Sequence, residues 1–186
     1  MTIRVIGGEL KGRKLVTMPG IETRPTADRV RESIFNILGD VVRGTRVLDL
    51  YAGTGAMGIE ALSRGAQFVL FVDSQKIALT ALTKNLKTCL LESRSVTIEW
   101  NILGNLDVLH SHRPGFDFVF IDPPYNKDMI EPTLAHLGSS QCLANGARLI
   151  IEHSLLEPIP TNPPAFKLVD QRRYGKTLVS FLFYML

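Results

Sequence analysis

The chain has 186 residues, 45% hydrophobic and 21% charged, which describes one ordinary globular domain with a sizeable core. No apolar run approaches the roughly 20 residues that cross a bilayer, and Met1–Val5 lacks a signal-peptide core, so a cytosolic protein is expected. Cys89 and Cys142 stand alone and the four histidines are scattered, so neither a disulfide nor a metal site is expected. The formal net charge is +3, but residues 1–31 hold seven Lys or Arg against three acids, so the basic character belongs to the N-terminal segment. A basic arm on a near-neutral body points to a polyanion partner.

Ile3–Ile6 and Arg13–Thr17 read as two short strands, with Gly7, Gly8 and Gly12 between them as in a loose hairpin. Residues 1–22 are therefore expected to form a basic β-hairpin extension, and residues 23–186 the main domain. Pro19-Gly20 marks a break. Arg24 precedes Pro25, which keeps it extended and makes it a candidate substrate-facing arginine. Thr26 reads as a helix N-cap with Asp28 in the first turn. Val30, Ile34, Ile37, Leu38 and Val41 then follow at helical spacing.

From Val47 the pattern alternates. Val47–Leu50, Phe68–Val72, Val96–Glu99, Phe116–Ile121 and Ala147–Glu152 read as strands. Helices are expected near Met57–Arg64, Lys76–Leu90, Ile102–His110 and Asp128–Leu137. Apolar strands with little polar alternation imply a parallel sheet covered on both faces. The tail differs: Lys167–Tyr174 and Leu178–Tyr184 are strands joined by Gly175-Lys176-Thr177 with no helix between, an antiparallel hairpin ending a seven-stranded, mostly parallel α/β sheet.

Two motifs fall at strand ends. Asp49-Leu50-Tyr51-Ala52-Gly53-Thr54-Gly55-Ala56-Met57-Gly58 matches G-x-G-x-x-G, and Asp73 follows about 20 residues later, where a ribose-binding acid belongs. By pattern alone this is a dinucleotide site. Asp49 argues against that, because it sets a carboxylate where a pyrophosphate would lie. A ribose ligand with a cationic end, such as S-adenosylmethionine, suits both Asp49 and Asp73. The second motif, Asp122-Pro123-Pro124-Tyr125, shows hydrogen-bond acceptors beside an aromatic face, since proline donates no N–H and an ionised carboxylate only accepts. Such a rim can grip the exocyclic amino group of a splayed nucleobase.

With these motifs the chain resembles the class I S-adenosylmethionine-dependent methyltransferases of Rossmann-like fold. More narrowly, it is similar to the RsmD-type small-subunit ribosomal RNA guanine-N2 methyltransferases. The narrower likeness is carried by Arg4-Val5-Ile6-Gly7-Gly8, Gly12-Arg13, Arg24 to Glu32 and Glu60 to Ala66, and it runs the length of the chain. The resemblance implies a cofactor site of Asp49, Tyr51, Ala52, Gly53, Gly55, Asp73, Ser74, Asn101 and Ile102. It implies that Asp122, Pro123 and Tyr125 act on the target base. Arg4, Lys11, Arg13, Lys14, Arg24, Arg29 and Arg31 are the expected RNA contacts, on a small-subunit ribosomal particle or its RNA, with the protein a monomer and no metal required. The competing readings are a DNA adenine-N6 methyltransferase, a protein glutamine methyltransferase, a non-catalytic RNA-binding assembly factor and a nicotinamide oxidoreductase. Trp100 has no role assigned from the sequence.

Overall fold

The computed structural model describes residues 3–17, 25–160 and 165–185, and backbone alone for 25–27. Strands β1 (Ile3–Arg4) and β2 (Lys14–Leu15) pair antiparallel, Ile3 opposite Leu15, and form the expected hairpin. Helix α1 (Pro25–Leu38) opens at Pro25, one residue before the expected cap. Proline suits a first helical position, where its missing N–H has no partner to lose. Val30, Ile34, Phe35 and Leu38 bury one stripe of α1.

The main sheet alternates with helices. It comprises β3 (Arg46–Leu50), β4 (Phe68–Asp73), β5 (Ser95–Glu99), β6 (Phe116–Ile121), β7 (Leu143–Ser154), β8 (Phe166–Tyr174) and β9 (Thr177–Tyr184). Their order across the sheet is β5-β4-β3-β6-β7-β9-β8. Neighbours are parallel from β5 to β7, while β9 runs antiparallel to both β7 and β8. The connecting helices are α2 (Ala56–Ser63), α3 (Lys76–Thr88) and α4 (Ile130–Ser139).

Two apolar layers flank this sheet. One joins the hairpin residues Val5 and Leu15 to α1, α2 and α3. The other packs α4 and residues 102–109 against the opposite face. Among the described residues no helix is long and apolar enough to cross a membrane.

One expected element is different. Residues 102–110 carry no α-helix, only turns and a single 3-10 turn at Asp107–Leu109. Ile102, Leu106 and Leu109 are buried at helical spacing. Asparagine side chains compete for the backbone there: Leu103 N donates to Asn101 Oδ1 (3.2 Å) and Asp107 N to Asn105 Oδ1 (3.0 Å). Such local bonds favour turns over helix. Trp100 Nε1 donates to the Asn105 carbonyl (2.8 Å) and closes the loop, which gives that residue its role.

Candidate active site

Doubly wound sheets open a crevice at the carboxyl ends of their strands where the winding reverses. Here the reversal lies between β3 and β6, and a groove of about 940 Å³ opens there. That volume suits a nucleoside-sized ligand with room to spare.

The glycine loop leaves β3 and turns into α2 with Gly55 at φ 81°. Asp73, at the end of β4, braces it: Gly53 N donates to Asp73 Oδ2 (2.8 Å) and Gln75 N to Oδ1 (2.8 Å). Lone pairs on both oxygens remain for a ligand's hydroxyls. Asp49 lies beneath the loop rather than at its lip, because it is still part of β3, and it accepts the Gly58 N–H (2.9 Å). Burial chiefly, and then the charge of Asp73, raise the Asp49 carboxyl to about 8 against the counter-effect of that bond. Ionising Asp49 is therefore costly unless a cation lies beside it.

Gly58 fits where no side chain can, since a Cβ there would lie 2.3 Å from Phe71 Cε1. Overpacking of this kind costs roughly 1–3 kcal/mol. Gly58→Ala is expected to lower the midpoint of thermal unfolding by several degrees and to shift Asp49, which accepts its N–H. An unchanged melting midpoint would show that this packing is soft.

Asp122 to Tyr125 leaves the end of β6. Pro123 is buried, while Asp122, Pro124 and Tyr125 face the groove mouth. The Tyr125 hydroxyl donates to Glu152 Oε1 (2.8 Å) and lies 3.2 Å from Thr177 Oγ1. Asn126, at φ 56°, is held through its N–H by Glu157 Oε2 (2.7 Å). Desolvation, then the charges of Glu152 and Asp49, raise the Asp122 carboxyl well above the ordinary range. Asp122 keeps its contact with solvent, so charge repulsion is the firmer cause. Burial raises Glu152 too, against the Tyr125 bond and the attraction of Arg31.

The fold gathers Asp49, Tyr51, Ala52, Gly53, Asp73, Ser74, Asn101, Ile102, Asp122, Pro123 and Tyr125 around this one groove, with Gly55 capping α2 beside it. Tyr51 faces inward through a hydroxyl bond to Thr133 Oγ1 (2.7 Å). The basic candidates divide. Arg4, Lys11, Arg13 and Lys14 are exposed on the hairpin and Arg29 on α1. Arg31 is only 5% exposed, and its Nη2 is spent on the Arg4 carbonyl (2.8 Å) and Asp28 (3.0 Å). It braces the hairpin against α1 at the groove wall. Arg24 lies outside the described residues.

Three residues escape the sequence reading. Glu152 follows the buried Leu149–Ile151 of β7 and is half-buried between them and His153, and its signal is an acid within an otherwise buried strand. Asn85 of α3 joins the hairpin to the glycine loop, bonding Val16 in both directions (2.6 and 3.0 Å) and the Thr54 carbonyl (2.9 Å). Glu60 is fully buried and accepts the N–H groups of Ile6 (2.7 Å) and Gly7 (2.8 Å). Both bonds span more than 50 residues, and no local pattern signals them. Among the described residues, no group of three or more His, Cys, Asp or Glu is arranged to hold a metal ion.

This strand order, with a glycine loop after β3, an acid after β4 and Asp-Pro-Pro-Tyr after β6, defines a Rossmann-like class I methyltransferase. The chain superposes on the solved yhhF protein of Escherichia coli with a TM-score of 0.86 at 30% identity, covering 100% of this chain and 99% of that one. A family model described as Conserved hypothetical protein 95 matches residues 3–183. Ribosomal RNA small subunit methyltransferase D of Haemophilus influenzae is 35% identical, with 98% of this chain and 93% of that protein aligned. The Escherichia coli K12 protein of the same name is 34% identical over 94% of this chain and 86% of its own length. The chain belongs to this RsmD family of methyltransferases.

Proposed function

We propose that the protein transfers a methyl group from S-adenosylmethionine to the exocyclic N2 of a guanine in small-subunit (16S) ribosomal RNA, in the cytoplasm. The observation that carries this reading is the meeting of Asp122 and Tyr125 with the Asp49–Asp73 loop in one groove, in a chain of the RsmD family.

The groove suits the cofactor. Asp73 keeps acceptor capacity for ribose hydroxyls, and the buried Asp49 carboxyl, short of a counter-charge, suits a cationic end. Asn101 and Ile102 form the wall that would flank an adenine. When bound, S-adenosylmethionine supplies an electrophilic methyl and leaves as the neutral thioether.

The chain's own residues prepare the other reactant. A guanine N2 is a weak nucleophile because its lone pair is drawn into the ring. Asp122 and the Pro123 carbonyl accept hydrogen bonds from the amino group, which leaves the nitrogen lone pair directed at the methyl. As the N–C bond forms, positive charge grows on that nitrogen, and Asp122 and Glu152 stabilise it. Tyr125, held by Glu152 and Thr177, offers a fixed ring for stacking, worth about 1–3 kcal/mol per base. The excess proton leaves to Asp122 or to water. The remainder of the rate comes from alignment. The exposed cations of the hairpin and Arg29 hold phosphates without reading sequence.

The test uses small ribosomal subunits from a strain lacking this gene, radiolabelled S-adenosylmethionine and nucleoside analysis. Label in N2-methylguanosine at one position is expected. Label only in adenine of added DNA, or none at all, would overturn the ribosomal assignment.

A further inference from the structure

The groove that is to receive a nucleic acid is acidic. Asp49, Asp73, Asp122 and Glu152 line it, and among the described residues the only cations in its wall are Arg31 and Lys176. Arg31 is buried and already bonded to Asp28 and the Arg4 carbonyl. A polyanion entering beside four carboxylates needs a positive charge at the rim, where its phosphates pass. Lys176 stands there, exposed, with no carboxylate partner among the described residues.

The turn that carries Lys176 is fastened on three sides. Tyr174 bonds Ser33 of α1 through its hydroxyl, the Lys176 carbonyl accepts the Leu155 N–H (3.2 Å), and Thr177 Oγ1 lies 3.2 Å from the Tyr125 hydroxyl. Arg173 adds a second charge at the same turn, its Nε held by the Gly175 carbonyl (3.0 Å). The last of these fastenings fixes the cations' distance from the residue on which the target base is to stack. A nucleotide whose base lies on Tyr125 carries its phosphates away from the ring, toward the groove mouth.

We infer that the β8–β9 turn is a phosphate-binding lip, with Lys176 at the groove and Arg173 beside it holding the RNA backbone that flanks the target nucleotide. This rests on the reading under Proposed function. It adds a second, C-terminal set of RNA contacts to those of the N-terminal hairpin.

The test compares wild type, Lys176→Ala, Lys176→Arg and the Arg173→Ala/Lys176→Ala double variant on undermethylated small ribosomal subunits and on the 16S RNA transcript. Lys176→Ala is expected to raise KM for the RNA substrate roughly fivefold to tenfold, with kcat within about twofold, and to lower the salt slope of RNA binding by about 1. The double variant goes further, Lys176→Arg restores most of the affinity, and S-adenosylmethionine affinity and melting temperature stay at wild-type values. Wild-type KM and salt slope in the double variant, alongside an active wild type, would overturn the lip and leave the methyltransferase reading intact. A wild type that methylates neither substrate would instead overturn the reading itself.

Discussion

Asp122→Ala is expected to cut methyl transfer to small ribosomal subunits by roughly a thousandfold or more while leaving the fold intact. Asp122 sits on the rigid Pro-Pro rim, exposed, and makes none of the bonds that hold that rim; Glu152, Thr177 and Glu157 make them. Removing it therefore takes away the acceptor for the amino group and the charge opposite the developing cation, and little else. Asp122→Asn should fall almost as far, because it turns part of an acceptor into an N–H donor facing another donor. The acid limb of the pH profile makes the assignment sharper. Desolvation and the neighbouring charges of Glu152 and Asp49 raise the Asp122 carboxyl, so the rate should climb with pH as Asp122 ionises. In Glu152→Gln one of those charges is gone. Asp122 then loses its proton more readily, and the acid limb moves to lower pH even as the looser Tyr125 lowers the plateau. Single-turnover rates against pH for the three variants decide it. Activity of Asp122→Ala within about tenfold of wild type would remove Asp122 from the chemistry.

Glu60→Ala is expected to be the most damaging change to stability. Its carboxylate is fully buried, accepts the Ile6 and Gly7 N–H groups, pairs with Arg64 Nε at 2.7 Å and lies 3.9 Å from Arg31 Nε. Truncation strands two buried donors and two guanidinium groups. Breaking a buried charge pair from one side costs about 3–5 kcal/mol. In a chain of this size that lowers the melting midpoint by roughly 10 °C or more. The damage is also local. Glu60 and Ser63 are the points where α2 grips the hairpin, with Leu10 N on Ser63 Oγ (2.9 Å) and Glu9 N on the Ser63 carbonyl (2.8 Å). A loosened hairpin presents Arg4, Lys11, Arg13 and Lys14 less firmly, so RNA affinity should fall further than cofactor affinity. Thermal unfolding and the two binding constants, measured below the variant's transition, separate these effects. A melting midpoint within a degree or two of wild type would show that Glu60 holds nothing essential.

The order of strands and helices, the closing hairpin and the two chemical motifs were legible from residues close in sequence. Apolar runs of five or six residues form strands because both faces of a parallel sheet are buried. Glycines and an acid at a strand's end fit one backbone geometry, and Asp-Pro-Pro-Tyr carries its rigidity in its own rings. Where local signals conflicted, the sequence misled: Ile102, Leu106 and Leu109 have helical spacing, but Asn101 and Asn105 bond the neighbouring backbone and turn the segment into a loop. Tertiary structure alone decided which charged groups serve the site and which hold the fold. Arg31 and Arg29 are two residues apart in one basic segment, yet one is 5% exposed and spent on the hairpin while the other is free to meet solvent. Glu152 and Lys176 join the groove because β7 lies beside β6 and the β8–β9 turn folds over Tyr125. Spacing along the chain encodes strands, helices and turns, since these depend on neighbours. The environment of a charge depends on burial and on partners tens of residues away, which exist only once the sheet has assembled.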